Sequence, residues 1–297
     1  MLPSFPDSLL RNIYKFIYKI FYPKAYKHNR RFWPLYRAQR DQQARLEKIY
    51  YKEQLISDNL LSIPTPNQKC MLIATGPSIQ QLPKDIFQRS DIDYIGVNGA
   101  IALEGLHFNT YIIIDHNFVE CRFDLVQKVL KSDCTFYTTP RCLDMILRRV
   151  KFQDICCKFK TIETITRDIV EVFLDRATPV DKNNPNFYVR NDFGFSRDVF
   201  SGTFDYFTVA YVALQVIYSL HYQEIYIAGL DMSDFSKPRF YETADNKQPT
   251  LLDTHMATVL EAFDLAAALF QEDQIKVFNL SPNSAIQSFN KVSAETI

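Results

Sequence analysis

The chain has 297 residues, 47% of them hydrophobic, with 34 basic and 34 acidic side chains. That fits a soluble globular protein with room for one large α/β domain plus an extension, or for two small domains. No run of about 18 apolar residues occurs, which excludes a membrane-spanning helix from the reading.

The N-terminus also lacks the uninterrupted apolar core and small-residue cleavage site of a signal peptide, so a cytoplasmic location is expected. The six cysteines show neither a CxxC pair nor a regular spacing and are expected as reduced thiols.

The charge is unevenly spread. Residues 1–50 carry eleven Lys and Arg against Asp7, Asp41 and Glu47, and the remainder is acidic in compensation. Leu9, Ile13, Phe16, Ile17, Ile20 and Phe21 recur at three- and four-residue steps, which predicts an amphipathic helix ended or kinked by Pro23. Lys15, Lys19, Lys24 and Lys27 border it. Two settings suit such a face: an anionic membrane surface, engaged through residues 9–45, or a seat on the catalytic domain. Nucleic acid is not expected as a partner, because no recognised motif accompanies the charge. Ser57 to Gln68 reads as a linker, so residues 1–66 form a basic, aromatic arm and 67–297 the catalytic domain.

Beyond the linker, strands are predicted at Cys70–Ala74, Asp93–Asn98, Asn109–Asp115, Thr135–Thr139, Glu224–Ala228 and Ile275–Asn279. Helices are predicted at Leu143–Val150, Thr208–Leu220 and Thr254–Gln271. The alternation implies parallel βαβ units in a Rossmann-like sheet. Ile155 to Asn191 gives no clear layout, and 232–254 reads as a lid. Most of the seven glycines fall where a strand hands over to a loop or helix, among them Gly76, Gly99, Gly202 and Gly229.

Four polar clusters mark those turns: Thr75-Gly-Pro-Ser78, Asn98, Ser201-Gly-Thr203 and Ser281-Pro-Asn-Ser284. Backbone amides at such turns can bind phosphate without a lysine. GxGxxG and GxxxxGK[ST] are absent, which disfavours dinucleotide and Walker-type binding. A metal-chelated diphosphate donor, which calls for an Asp-x-Asp pair, is not expected, and no metal or cofactor is assigned. Asp231 reads more readily as a helix cap than as a catalyst. Asp115 and His116 end a strand and compete for acid/base work.

The motifs Ala74-Thr-Gly-Pro-Ser78, Val97-Asn-Gly99, Phe200-Ser-Gly202, Glu224-Ile-Tyr-Ile-Ala-Gly-Leu-Asp231 and Leu280-Ser-Pro-Asn-Ser284 stand in an order that resembles the bacterial sialyltransferases of glycosyltransferase family 42. More closely still, together with Arg239-Phe-Tyr241 and Asn279-Leu-Ser281, it resembles the Kdo (3-deoxy-manno-octulosonic acid) transferases of the lipopolysaccharide core. The resemblance covers roughly residues 70–290 and leaves out the arm. It implies a mostly parallel, helix-flanked variant of the GT-A fold. It also implies a CMP-activated ulosonic acid as donor, a glycolipid or lipopolysaccharide-core acceptor, and an inverting, metal-independent transfer.

Carried over residue by residue, it puts CMP and the donor carboxylate at Thr75, Gly76, Ser78, Asn98, Ser201, Gly202, Thr203, Asp231, Asn283 and Ser284. His255 becomes the general base and Tyr241 a contact to the leaving phosphate. The family's second tyrosine is replaced by Ser233, with Lys237 or Arg239 as substitutes. If the enzyme were retaining, Asp115 would be the nucleophile. The alternatives are a sialyltransferase, a pterin pyrophosphokinase-like enzyme and a non-catalytic, nucleotide-binding membrane scaffold.

Overall fold

The computed structural model describes residues 5–65 and 67–297; the outer limits of the predicted arm, residues 1–4 and Pro66, lie outside them. So do the side chains of residues 5–11, Ala25 and Lys27, and with them Leu9 and Lys27 of the predicted amphipathic face.

Helix α1, Phe5–Phe21, leads through a 3-10 turn, Lys24–Arg31, into three strands: β1 (Tyr36–Arg40), β2 (Leu46–Tyr51) and β3 (Gln54–Asp58). The arm is thus helical only in its first half. Residues 36–58 are an antiparallel meander at the edge of the main sheet, with Tyr36, Leu46, Ile49 and Ile56 buried in the core.

The catalytic region supplies β4 (Lys69–Ile73), β5 (Ile92–Val97), β6 (Thr110–Ile113), β7 (Thr135–Thr138) and β8 (Lys158–Thr161). Helices α2 (His116–Cys121), α3 (Phe123–Leu130) and α4 (Pro140–Leu147) lie among them in sequence. The stretch with no clear layout resolves into short pieces, β9 (Thr164–Thr166), β10 (Ile169–Val170) and β11 (Thr178–Pro179), then the hairpin β12 (Phe187–Arg190) and β13 (Phe193–Ser196). The chain ends with β14 (Thr203–Phe204), α5 (Val209–Ser219), β15 (Glu224–Ala228), α6 (Met256–Glu272), β16 (Lys276–Asn279) and β17 (Asn290–Lys291).

The main sheet runs β1-β2-β3-β8-β7-β6-β5-β4-β15-β16-β17. From β3 onward every neighbouring pair is parallel. Its central strands are buried throughout (β5 and β6 at every position), as a sheet covered on both faces requires. One face packs on α5 and α6 through Tyr211, Val212, Phe263 and Leu269; the other packs on α3 and α4 through Leu125, Val126, Leu143 and Ile146. Helix α5 is buried continuously from Ala210 to Ile217, so it shows no amphipathic stripe.

From β4 the chain steps outward through β5, β6, β7 and β8, whereas β15 flanks β4 on the other side and leads to β16 and β17. The carboxyl ends of β4 and β15 therefore form a topological switch point. In open α/β sheets that crevice is where ligands bind.

Candidate active site

The loops leaving β4 and β15 interlock at the switch point. Ala74 N donates to Ala228 O and Gly76 N to Gly229 O, both at 2.8 Å. A Cβ on Gly76 would stand 2.4 Å from Asp231 Oδ2 and 2.6 Å from Gly229 O, so only glycine fits. Gly229 itself takes the left-handed φ of +73°. Asp231 Oδ2 accepts from Ser78 N at 2.9 Å, its other oxygen accepts from Ser78 Oγ, and Ser78 Oγ lies 2.8 Å from Ser281 Oγ. Ser284 Oγ donates to Leu230 O at 2.5 Å.

These contacts join the turns after β4, β15 and β16 into one frame. They also correct an expectation. The Gly76 and Ser78 amides are occupied by a carbonyl and a carboxylate, so they are not open to a phosphate. Asp231 opens no helix of its own, contrary to the cap expected there; it instead ties the Ser78 turn to the loop after β15. Ser233 Oγ donates to the carbonyl of Asn283 at 3.4 Å, and the Asn283 residue is exposed.

Residues 232–254 contain neither helix nor strand and fold over this frame. Phe240 N donates to Thr75 O and Gln80 Nε2 to Phe240 O, each at 3.3 Å. The Tyr241 ring rests on Gly99, where a Cβ would come within 2.1 Å of it. Burial pushes the Tyr241 phenol up to about 12, against the pull of Arg239, so at neutral pH it keeps its proton as a hydrogen-bond donor.

The two cations predicted to assist it are engaged elsewhere. Arg239 pairs with the buried Glu242 at 2.8 Å and Lys237 pairs with Asp234 at 3.0 Å. Their place beside the phenol is taken by Arg122, whose guanidinium lies 5.1 Å from the Tyr241 ring centre. Arg122 Nε and Nη2 bond to Asp124, while its buried Nη1 has no partner. Sequence reasoning passed over Arg122, because an Arg-x-Asp pair at a helix junction looks like a surface ion pair.

Asn98 holds φ +45°, and its carbonyl accepts from Tyr111 Oη at 2.7 Å. Its side-chain Oδ1 is buried without a partner. Asp115 follows β6 and caps α2 through Oδ1, which accepts from Asn117 N at 2.8 Å. It lies within electrostatic reach of both Tyr241 and Asp205, a residue the sequence did not single out. Burial, and then the nearby Arg141, lowers the His116 imidazole, favouring its neutral form. His255 precedes α6 and stacks flat on Phe207, ring centres 3.7 Å apart.

Ser201, Gly202 and Thr203 form a separate network further along the sheet edge. Ser201 Oγ donates to Asp198 Oδ2 at 3.0 Å and receives Asn186 Nδ2 at 2.8 Å, and Thr203 Oγ1 donates to Val199 O at 3.1 Å. Gly202, at φ +123°, lets this turn pass beneath Ile165. The bonds of both hydroxyls stay within residues 186–203 and do not reach the Gly76 or Gly99 turns.

The chain's one Asp-x-Asp spacing, Asp91–Asp93, begins β5 at the opposite edge of the sheet. Asp93 accepts from Tyr222 Oη and Asn67 Nδ2, and Asp91 pairs with Arg89. That engagement, and the wrong end of the strand, remove it from the site.

A family model described as 3-deoxy-D-manno-octulosonic acid transferase WaaZ matches residues 57–292. A protein of Escherichia coli strain K12 named "Probable 3-deoxy-manno-octulosonic acid transferase" is 25% identical over 267 residues, covering 81% of this chain and 87% of its own. One of the same name from Salmonella typhimurium is 24% identical over 251 residues, covering 74% and 84%. Among solved structures, the monofunctional α-2,3-sialyltransferase Cst-I of Campylobacter jejuni overlaps at a TM-score of 0.43 and 13% identity, covering 79% of this chain and 83% of that one.

Proposed function

Because the chain belongs to the 3-deoxy-D-manno-octulosonic acid transferase WaaZ family, and is therefore a glycosyltransferase, we propose that it moves Kdo from CMP-Kdo to a sugar of the lipopolysaccharide core. The observation that carries this reading is the reach of the family match, from the end of β3 to β17. Every loop at the switch point falls inside it.

The chemistry suits the groups gathered there. Breaking the bond between the anomeric carbon and the phosphate builds negative charge on CMP, and donors preorganised for that charge stabilise the transition state. The Tyr241 phenol of the covering segment and the unpaired Nη1 of Arg122, whose guanidinium lies over the Tyr241 ring, are such donors. A monophosphate leaving group needs no metal to bridge two phosphates, so the transfer is proposed to be metal-independent. Inversion follows if the acceptor oxygen attacks opposite CMP in a single displacement, with a protein base taking its proton.

The arm fits a lipid-linked acceptor. Tyr14 and Tyr18 of α1 pack against Trp33, whereas Ile13, Phe16, Ile20 and Phe21 on its other side are 45–74% exposed. With Lys19 and Lys24 beside it, this face is proposed to lie on the anionic inner leaflet.

Calorimetric titration of the protein with CMP, UDP, GDP and NAD, with and without Mg²⁺, tests the donor. Preferential CMP binding unaffected by Mg²⁺ is expected. A purine response that depends strictly on Mg²⁺ would contradict the reading and favour pyrophosphoryl transfer.

A further inference from the structure

Asp205 occupies the corner between β14 and α5. Its amide donates to Ile165 O at 3.2 Å, which fixes the backbone against β9. Its Oδ1 is shut off from solvent and has no hydrogen-bond partner. Among the described residues the charged group that acts on it is Asp115, whose own Oδ1 is committed to capping α2.

Two residues on, Phe207 adopts φ +63°, unusual for an aromatic residue, yet its ring is 46% exposed and lies flat on His255. Thr208 Oγ1 then caps α5 at Ala210 N (3.3 Å). The Phe207 backbone amide donates to the Asp205 carboxyl group, yet Oδ1 stays buried without a partner. That orphaned oxygen and the left-handed Phe207 both weaken the fold, and such costs persist where function requires them.

We infer that Asp205 is the catalytic base of the transfer, with the Phe207–His255 stack as the flat apolar platform on which the acceptor sugar lies. The inference rests on the transferase reading above. Asp205 is only half-buried, although its Oδ1 is enclosed. The acceptor hydroxyl gives its proton to this carboxylate while its oxygen bonds to the anomeric carbon of the donor. The bond from that carbon to phosphate breaks, and its electron pair leaves with CMP. Asp205 afterwards returns the proton to water.

Asp115, after β6, is within electrostatic reach of both Asp205 and Tyr241, which connects the proposed base to the leaving-group donors. His255, which the resemblance makes the base, here presents a ring face to Phe207 at the rim. Burial, and then Asp115, raises the Asp205 carboxyl to about 6. At that value it is ionised at neutral pH and still a competent proton acceptor.

The test uses the full-length protein with CMP-Kdo and a deacylated lipopolysaccharide-core oligosaccharide, comparing wild type, Asp205→Asn, Asp205→Glu and His255→Ala. CMP affinity is measured calorimetrically for each. Asp205→Asn is expected to lower kcat by about 10²–10⁴-fold, to keep CMP affinity and to lose the acid limb of the kcat–pH profile near pH 6. Asp205→Glu should recover part of kcat and shift that limb, and His255→Ala should chiefly raise the KM for acceptor. Full kcat and an intact acid limb in Asp205→Asn, with both losses falling on His255→Ala, would overturn the assignment. A wild type inactive with CMP-Kdo and CMP-sialate alike would overturn the transferase reading, and the base with it.

Discussion

Ionising Asp205 costs the folded chain more than the unfolded one, because its folded pKa of about 6 stands above the value of about 4 that an exposed aspartate has. The sign follows from linkage. The stability this group contributes is fully present below about pH 4 and is lost as pH rises through about 6, amounting to roughly 2–3 kcal/mol. Asp205→Asn should therefore raise the melting temperature at pH 8 and change it little at pH 4. A shift equal at both pH values would contradict this account of the carboxylate. Residues of this kind resist a sequence reading. Gly76, Ser78 and Asp231 could be placed at turns because turn chemistry restricts which residue types fit there, but not as partners of one another rather than of a phosphate. Asp205 and Arg122 were not legible, since what marks them is a missing partner, and a missing partner is a property of three-dimensional packing.

Between β15 and α6 the covering segment is held by the Phe240 bonds to Thr75 and Gln80 and by one close approach, Tyr241 on Gly99. Gly99→Ala would set a methyl group 2.1 Å from a ring carbon, so the ring must leave. We expect turnover to fall and trypsin to cut faster within the segment, at Arg239 or Lys247, with the far-UV spectrum unchanged. A protected segment in the variant would show that Tyr241 does not seat it. At the other end of the chain, the proposed membrane contact is assigned to α1 alone. A chain beginning at Lys24 should fold and lose binding to anionic vesicles, and equal binding would refute the lipid-facing role. A chain beginning at residue 67 cannot make the comparison, because it removes β1–β3 and their buried Tyr36, Leu46 and Ile49.

The same elements show how far the sequence was readable. Strands β4–β7 and β15 have apolar runs that only a doubly covered sheet explains. Strands β1–β3 were hidden because their outward positions carry Arg37, Gln39 and Lys48, continuing the arm's basic composition. Strand β8 was masked by Lys160, which is buried and donates to the carbonyls of Asn59 and Leu61. Burial lowers that amine to about 8, and its two carbonyl bonds tie the end of the meander to the sheet.

At the scale of the whole molecule, one topological fact organises the rest. Because the chain leaves β4 and β15 in opposite directions across the sheet, their loops meet and interlock at the switch point, and the turns after β5 and β16 follow from the strands on either side. Asp115 is within electrostatic reach of both Tyr241 and Asp205, and the proposal assigns the first to the leaving group and the second to the acceptor. Helix α1 packs on Trp33 through Tyr14 and Tyr18 and leaves Ile13, Phe16, Ile20 and Phe21 exposed, the face proposed to meet the membrane. The measurement that bears most directly on this account is mass spectrometry of a lipopolysaccharide-core acceptor incubated with the purified protein and CMP-Kdo in the presence of EDTA. The account predicts stoichiometric release of CMP and one added Kdo on the acceptor, undiminished by the chelator. An unmodified acceptor, or transfer only when CMP-sialate replaces CMP-Kdo, would contradict it.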